Sequence, residues 1–211
     1  MWSGIVMLEN ARSSLKETTS GWEHNESKFE VLFGKLGRHV IRTKEDKDNP
    51  SCYQRSVQKP ASLMVWGCMS ACGMGSLHIW KGTINAERYI QVLEQHMLPS
   101  RHCLFQGRPC LFQHDNARPH TASITTSWLR RRRIRVLKWP ACSPDLSPIE
   151  NIWRIIKRKM LQRRPKTVEQ LEACITQEWD NIPISKLEQL VSSVPRRLPT
   201  VIKRRGDATQ W

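Results

Sequence analysis

The chain has 211 residues, of which 39% are hydrophobic and 25% are charged. These values are near the averages for globular proteins and exclude wholesale disorder, and the length suits one domain with a sizeable core rather than two domains of ordinary size. Lysine and arginine number 34 against 19 acidic residues, so the formal charge is +15. This excess attracts polyanions and makes nucleic acid the first partner to consider, with a basic protein whose charges are merely solvated as the alternative.

No segment of the sequence is typical of a membrane span or a signal peptide. The uncharged run at residues 61–77 contains three glycines and is too short to cross a bilayer. The first residues lack a basic region and a small-residue cleavage site. A soluble protein that is not secreted is therefore expected.

The first part of the chain predicts a leader followed by strands. Residues 1–21 show no regular hydrophobic period and are expected to form a weakly ordered leader, which leaves a single domain over residues 22–211. The segments SKFEVLFG and RHVIRTK, with glycine breaks between them, are typical of a hairpin. The run SLMVWGCMSACGMGSLHIWKG is apolar on both sides of residues 73–75, which predicts two adjacent central strands buried on both faces.

Strands and helices then alternate. A helical period begins after Asn85, which is a suitable N-cap, and Pro99 is expected to end that helix. A short strand in PCLFQHDN, a helix in HTASITTSWLRRRR and another strand in IRVLKWP follow. This alternation is typical of sheets that combine parallel strands with crossover helices.

The clearest helix follows the proline-rich turn PACSPDLSP. Its basic side chains lie away from one apolar stripe. That stripe is formed by Ile149, Ile152, Trp153, Ile156 and Met160. Two further helices are predicted, from about Thr167 to Trp179 and from about Ser185 onward. The whole order of elements indicates a mixed α/β sheet with helices on both faces.

Two acidic residues stand where catalytic side chains are often found. Asp115 is at the end of a predicted strand, and Glu150 is in the first turn of the clearest helix, with thirty-four residues between them. Carboxylates on separate rigid elements suit a magnesium site for phosphoryl transfer, because hard cations prefer oxygen ligands. Two cations about 3.5 to 4 Å apart would activate the attacking oxygen and stabilise the leaving one, which calls for a third carboxylate.

Each acidic residue also has a simpler structural explanation. Asp115, followed by Asn116, could only turn the chain. The segment SPIE, with Ser147 as N-cap, is typical of a capping box in which Glu150 folds back onto the helix start. His120 is expected to be a structural or phosphate-facing residue rather than a general base.

Four segments resemble the catalytic domain of mariner-superfamily cut-and-paste transposases, most closely the Tc-type branch. They are ESKFE at 26–30, SLMVWGCMS at 62–70, QHDNARPHTA around Asp115 and WPACSPDLSPIENIW around Glu150. They occur in the family's order, and the gap between the two acids is typical of that branch. The resemblance covers the chain from about Trp22 to its C-terminus.

The resemblance implies a ribonuclease-H-like α/β fold, in which a mixed five-stranded sheet is flanked by helices. It also implies magnesium-dependent hydrolysis of DNA at transposon ends, followed by attack of the freed 3′-hydroxyl on target DNA during integration. The family's second and third metal-binding acids correspond to Asp115 and Glu150. The implied cofactor is Mg²⁺ or Mn²⁺, and the implied partner is DNA.

The sequence departs from the family at the first of its three acids. That acid lies in a W-S-D-E-S-K-F setting, and alignment on ESKF places Asn25 at its position. An amide keeps the shape of a carboxylate but brings no charge, so metal binding is expected to be severely weakened and strand cleavage small or absent. Glu26 would point to the opposite face of the strand, while Glu23 shares the face of Asn25 but lies about 6 to 7 Å along it.

Family members carry paired helix-turn-helix modules before the catalytic domain. The residues before Trp22 do not show that pattern, so sequence-specific recognition of transposon ends is not expected.

Basic residues are concentrated between Arg130 and Lys166, where thirteen Lys or Arg accompany two acids. They predict sequence-independent contact with DNA phosphates that weakens as salt rises. The candidate DNA-binding residues are Arg130, Arg131, Arg132, Arg133, Arg135, Lys138, Arg154, Lys157, Arg158 and Lys159. Nuclear localisation is predicted, with RRRR and KRR as candidate signals, and a homodimer is possible.

Two hypotheses follow. The chain is either a transposase catalytic domain acting on DNA or a fragment that keeps the fold and the DNA contact without catalysis. A related nuclease or integrase of the same fold is less favoured, because SPDLSPIEN is typical of the transposase branch.

Overall fold

The structure is a computed structural model of the chain. It describes residues 21–31, 61–137, 139 and 146–204. Residues 1–20 of the predicted leader, the RHVIRTK segment of the predicted hairpin and Lys138 lie outside the described residues. The last residue of the predicted leader, Gly21, is instead the first residue of a strand. Within them, no helix is long and apolar enough to cross a membrane.

The described part of the chain forms a mixed sheet of four strands in the order β3-β2-β1-β4. Its strands are β1 (Gly21–Glu30), β2 (Ser62–Ser70), β3 (Gly73–Trp80) and β4 (Leu111–Gln113). β2 runs antiparallel to both β1 and β3, whereas β4 pairs parallel with the beginning of β1. The predicted mixed α/β sheet is therefore confirmed.

The predicted strand in IRVLKWP is present only as a single bridge. Val136 pairs in parallel with Phe112 of β4. The Phe112 N–H donates to the Arg135 carbonyl at 2.9 Å, and the Leu137 N–H donates to the Phe112 carbonyl at 2.7 Å. Because Lys138 is not among the described residues, the fifth strand that the sequence predicted is represented here by this bridge alone.

The hairpin β2-β3 confirms two adjacent strands but corrects their expected burial. β2 is almost wholly buried, whereas β3 is mostly half-buried. β3 pairs with β2 on one side only within the described sheet, so it lies at an edge and not at the centre. The turn is formed by Ala71 and Cys72, and the glycines that follow belong to β3.

Seven α-helices among the described residues cover the two faces of the sheet. They are α1 (Ala86–Val92), α2 (Leu98–Phe105), α3 (Arg118–Thr121), α4 (Ser123–Arg131), α5 (Pro148–Arg163), α6 (Val168–Asp180) and α7 (Ile184–Lys203). Helices α1, α2 and α4 pack in one core cluster with Trp66 of β2. Helices α5 to α7 pack in another with Leu63 and Val65. Alternate residues of β2 thus face opposite cores, as the period of a strand requires.

The helix after Asn85 continues beyond Pro99, so the prediction that proline would end it is wrong. Asn85 does cap α1, accepting a hydrogen bond of 2.9 Å from the Arg88 N–H. α1 then passes through a π-helical turn, Leu93–Met97, into α2. Pro99 is the second residue of α2, where the wider turn before it accommodates the proline ring and its missing N–H.

Helix α5 is fixed to the sheet by the apolar stripe that the sequence predicted. All five residues of that stripe are buried. Trp153 stacks on Trp179 of α6 with ring centroids 5.0 Å apart. Trp179 in turn lies against β2 at Gly67, where an added Cβ would be only 2.2 Å from the indole ring. A glycine at this position is therefore required by packing.

Replacing Gly67 by alanine is expected to lower the free energy of unfolding by about 1 to 3 kcal/mol, because the new methyl group would force the buried Trp179 ring from its place. Urea unfolding followed by tryptophan fluorescence measures the change. A matched alanine substitution at exposed Gln162 of α5 should change stability by less than about 0.5 kcal/mol. Equal stability of the Gly67→Ala and wild-type proteins would contradict this packing.

Candidate active site

The three residues that the sequence singled out meet at the edge where β1 and β4 pair. Asn25 lies in β1, Asp115 follows β4 by two residues, and Glu150 is in the first turn of α5. Glu23 of β1 is opposite Gln113 of β4, and Asn25 and Asp115 each follow this pair by two residues. The Asn25 Nδ2 donates a hydrogen bond of 2.7 Å to Glu150 Oε1.

Asp115 is held by two hydrogen bonds to one of its oxygens. Its Oδ1 accepts from the Ala117 N–H at 2.9 Å, so the predicted chain-turning role is present. The same oxygen is 2.6 Å from His120 Nδ1. Burial alone would raise the pKa of Asp115, but the hydrogen bond and positive charge of His120 outweigh it and lower the pKa. Asp115 is therefore ionised in the folded protein.

His120 bridges two carboxylates that the sequence did not connect. It is buried, and its Nε2 is 3.1 Å from Glu26 Oε1. Burial would lower the pKa of His120, but its hydrogen bonds to Asp115 and Glu26 prevail and raise it to about 9. At neutral pH the ring is charged and donates from both nitrogens. Glu26 contacts His120, whereas Asn25 contacts Glu150 of α5.

Two more histidines pack around His120 and are neutral. The rings of His24 and His114 lie 5.3 and 5.4 Å from the His120 ring. Burial, and then the charge of His120, lower the pKa of His24 well below its ordinary value and that of His114 to about 4. His24 Nε2 is also 2.6 Å from the Tyr89 hydroxyl. The positive charge beneath the site is therefore concentrated on His120.

Glu150 faces the site and does not complete a capping box. Its pKa is raised, first by burial and also by the negative charge of Asp115, although Lys157 acts in the opposite direction. Ser147 is at the N-cap position but makes no side-chain capping bond to the helix. Its hydroxyl instead donates to Glu23. The capping-box prediction is wrong because the carboxyl group of Glu23, from β1, takes that place.

Glu23 is the residue of this region whose role the sequence did not predict. It is only 6% exposed, and its Oε2 accepts a hydrogen bond of 3.0 Å from the Ile149 N–H at the start of α5. Its Oε1 accepts from Ser147 and, at 2.8 Å, from Gln113 Nε2. Burial raises the pKa of Glu23 to about 8 in spite of these donors. The only sequence feature that pointed to a buried polar role for Glu23 was its position in a predicted strand, with a polar residue, Gln113, in the neighbouring one.

The oxygen donors of the site fit a divalent cation only in part. Asp115 and Glu150 supply two carboxylates, which hard cations prefer. Asn25 does not complete the set, because its Oδ1 accepts a hydrogen bond of 2.8 Å from the Glu26 N–H and its own N–H group faces Glu150. Within the described ranges, no group of three or more His, Cys, Asp or Glu side chains is arranged to hold a metal ion.

The candidate DNA-binding residues divide between the two faces of the sheet. Most of those described are exposed on or just after α4, or along α5. Arg132 forms an ion pair of 2.7 Å with Glu94 and lies 5.7 Å from the Trp128 ring centroid. Lys159 binds the buried carboxylate of Glu178. The basic residues therefore form two separate groups, and the one on α5 is on the helix that carries the candidate site.

The family described as DDE superfamily endonuclease matches residues 35–172, which is more than half of the chain and includes both Asp115 and Glu150. The chain belongs to this family. It is 36% identical to the Tcb1 transposase of Caenorhabditis briggsae and 34% identical to the Tc1 transposase of Caenorhabditis elegans. Each match covers 89% of this chain and 68% of the relative. The DDE assignment confirms the resemblance to mariner-type transposases.

Solved structures of Mos1 transposase share the fold of this DDE domain. The paired-end complex with the left transposon end has a TM-score of 0.76 at 19% identity, covering 95% of this chain. The Mos1 catalytic domain with raltegravir and Mn has a TM-score of 0.75 at 19% identity, covering 98%. The chain spans 60% of the Mos1 chain in the first structure and 94% of that in the second. The ribonuclease-H-like fold is therefore confirmed.

Replacing Glu23 by Gln is expected to flatten the decline of stability with pH. The Glu23 carboxyl has its ordinary pKa of 4.5 in the unfolded chain and a pKa of about 8 in the folded protein. Between these values the folded state binds the extra proton, so raising the pH lowers the free energy of unfolding by up to about 1.4 kcal/mol per pH unit.

Urea unfolding of both proteins from about pH 5 to about pH 8 measures this effect, and the difference between their pH profiles isolates Glu23 from the histidines. Parallel profiles for wild-type and Glu23→Gln proteins would show that the carboxyl is not held neutral by burial.

Proposed function

We propose that this DDE domain binds DNA through its basic residues and keeps the frame of a transposase catalytic site, but binds divalent cations weakly and cleaves DNA poorly. The observation that carries the proposal is the 2.7 Å hydrogen bond from the Asn25 amide to Glu150. A family member with an acid at this position would present an oxygen and a negative charge there. This chain presents an N–H donor.

The chemistry of the amide explains the expected loss. A carboxylate can share its two oxygens between two cations, whereas an amide offers one neutral oxygen. In Asn25 that oxygen already accepts the Glu26 N–H. Cation binding at this position would require the amide to turn and both of its hydrogen bonds to be exchanged.

The remaining carboxylates would hold the cation. Asp115 and Glu150 are the residues that would ligate Mg²⁺ or Mn²⁺, which when bound would lower the pKa of an attacking water and stabilise the leaving oxygen. His120 keeps Asp115 ionised through a hydrogen bond of 2.6 Å, and it orients that carboxylate from the side of α3. The pair of ligands is thus supported, although the third is missing.

DNA contact is expected to depend chiefly on phosphate charge. Exposed arginines and lysines on α4 and α5 offer positively charged donors to DNA phosphates, a contact that does not depend on base sequence. The transposon-end DNA in the Mos1 paired-end complex supports DNA as the partner. Nuclear localisation and self-association stay predictions.

A second candidate function is DNA binding without any catalysis, as in a transposase fragment retained for its fold. The same Asn25 substitution favours it. A nicking assay on supercoiled DNA with Mg²⁺ or Mn²⁺ separates the two functions. Robust cleavage by the wild-type chain that is abolished by Asp115→Ala would rule out the non-catalytic candidate and the impaired enzyme alike.

Restoring the acid by Asn25→Asp is expected to raise Mn²⁺ affinity at least about tenfold, because a charged ligand replaces an amide whose N–H group faces Glu150. Calorimetric titration of Mn²⁺ into both proteins measures the gain, and DNA nicking should rise with it. Asn25→Asp combined with Asp115→Ala is the control and should lose the gain. Unchanged affinity in Asn25→Asp would show that the site is placed wrongly.

Replacing Lys157 and Arg158 of α5 by Gln is expected to weaken DNA binding and to reduce its salt dependence. The slope of log affinity against log salt should fall by about 0.9 for each phosphate that is no longer neutralised. Fluorescence anisotropy with duplexes of two unrelated sequences measures both quantities. Lys81→Gln, at an exposed position just after the edge strand β3, is the matched control and should change neither. An unchanged slope in the α5 variant would contradict this interface.

A further inference from the structure

The carboxyl group of Glu23 joins the three elements that carry the candidate site. It extends from β1, accepts a hydrogen bond from Gln113 of β4, and accepts two more from the start of α5. We propose that Glu23 is a positioning residue, which sets the relative placement of Asn25, Asp115 and Glu150. The proposal rests on the proposed function, since it concerns the geometry of that same cation site.

The spacing along the chain makes each contact local to a site residue. Glu23 and Asn25 are two residues apart on one face of β1. Gln113 is paired with Glu23 in the β1-β4 register and precedes Asp115 by two residues. Ile149 donates its N–H to Glu23 and directly precedes Glu150. Glu23 therefore contacts a residue close in sequence to Asp115 and a residue next to Glu150, and it lies in the same strand as Asn25.

The contacts of Glu23 at α5 position the helix relative to the sheet, in addition to capping its first turn. The first N–H groups of a helix have no partner within the helix and are usually capped by a neighbour in sequence. Here Ile149 is capped by a strand residue, while Ser147 turns its hydroxyl toward the same carboxyl. A cap supplied from the sheet fixes the end of α5 against the sheet, and with it the direction in which Glu150 enters the site.

Burial gives these hydrogen bonds their effect. Glu23 is only 6% exposed, and Ser147 is buried beside it. Without the carboxyl, three donors would have to find other partners in a space that water does not readily enter. Helix α5 would then be held by its apolar stripe. That stripe keeps the helix packed on the core but restrains the position of its N-terminus less well.

Glu23 is not one of the positions to which the resemblance assigns a metal-binding acid. Glu23 also does not substitute for the missing acid, because both of its oxygens already accept hydrogen bonds from groups of the protein. Its function is to hold the elements that carry the site residues in place through hydrogen bonds.

The test compares Mn²⁺ affinity in the Asn25→Asp protein with Glu23 kept, replaced by Gln, or replaced by Leu. Gln retains the shape and an oxygen for the Ile149 N–H, so its affinity should stay within about threefold. Leu removes all three hydrogen bonds and should weaken binding at least about tenfold, as expected when a metal ligand is no longer supported. Circular dichroism confirms that each variant is folded.

Glu178→Leu in the same Asn25→Asp background is the matched control. Glu178 is also a buried carboxyl that holds α5, but it binds Lys159 and Arg163 at the other end of the helix. Its loss should lower stability without changing Mn²⁺ affinity. Equal losses of affinity in the Glu23→Leu and Glu178→Leu proteins would overturn the positioning role and leave only a contribution to stability.

Amide hydrogen exchange of the metal-free protein provides a readout that does not depend on the cation site. Exchange at the Ile149 amide should accelerate at least about tenfold in Glu23→Leu but little in Glu23→Gln, since only Leu leaves that N–H without an acceptor. Failure of Asn25→Asp to bind Mn²⁺ would refute the proposed function. The exchange rate of the Ile149 amide would still show whether Glu23 holds the start of α5. Unchanged exchange in Glu23→Leu would overturn the proposal.

If Glu23→Leu does not fold, a milder variant serves for the same test. Ser147→Ala removes one hydrogen bond of Glu23 and keeps the other two. In the Asn25→Asp background it should lower Mn²⁺ affinity by about two- to fivefold, a fraction of the effect of removing the whole support. Affinity equal to that of Asn25→Asp would contradict the role of this hydrogen-bond network.

Discussion

The parallel pairing of β1 with β4 is the constraint on which the site depends. Parallel neighbours must be joined by a long crossover, and here the crossover carries the rest of the sheet and two helices of one face. The pairing ends two residues before Asn25 and Asp115, and the apolar stripe of α5 holds the helix whose first turn brings Glu150 within hydrogen-bond distance of Asn25. The site is thus built from segments far apart in the chain, and its shape depends on how α5 is held against the sheet.

The charges at this edge are compensated by the protein itself. Protonated His120 lies between Asp115 and Glu26, and the Asn25 N–H meets Glu150. An acid at position 25 would add a negative charge beside two carboxylates, and the mutual repulsion would favour entry of a cation. The amide relieves that repulsion by a hydrogen bond. In the proposed function, an acid at position 25 makes a site that attracts a cation, whereas the amide makes one whose groups are hydrogen-bonded without it.

Sequence patterns predicted the parts of the structure that depend on local period or on motif. The buried stripe of α5, the Asn85 cap and the mixed sheet were confirmed, because hydrophobic spacing and capping chemistry act over a few residues. Contacts between distant segments were not accessible in this way. The bridge from His120 to Glu26 and the cap that Glu23 supplies to α5 both join residues separated by more than ninety positions. Pro99 was misjudged because the π-helical turn that accommodates it leaves no local signal.

The most direct test of the proposal that this site binds cations weakly is anomalous diffraction from crystals soaked in Mn²⁺. For the wild-type chain, we expect at most one weakly occupied ion, bound by Asp115 and Glu150, with the Asn25 amide still donating to Glu150. For Asn25→Asp, we expect stronger occupancy with the new carboxylate as a ligand. Two fully occupied ions about 3.5 to 4 Å apart in the wild-type crystal, with Asn25 Oδ1 as a ligand, would contradict a weakened site.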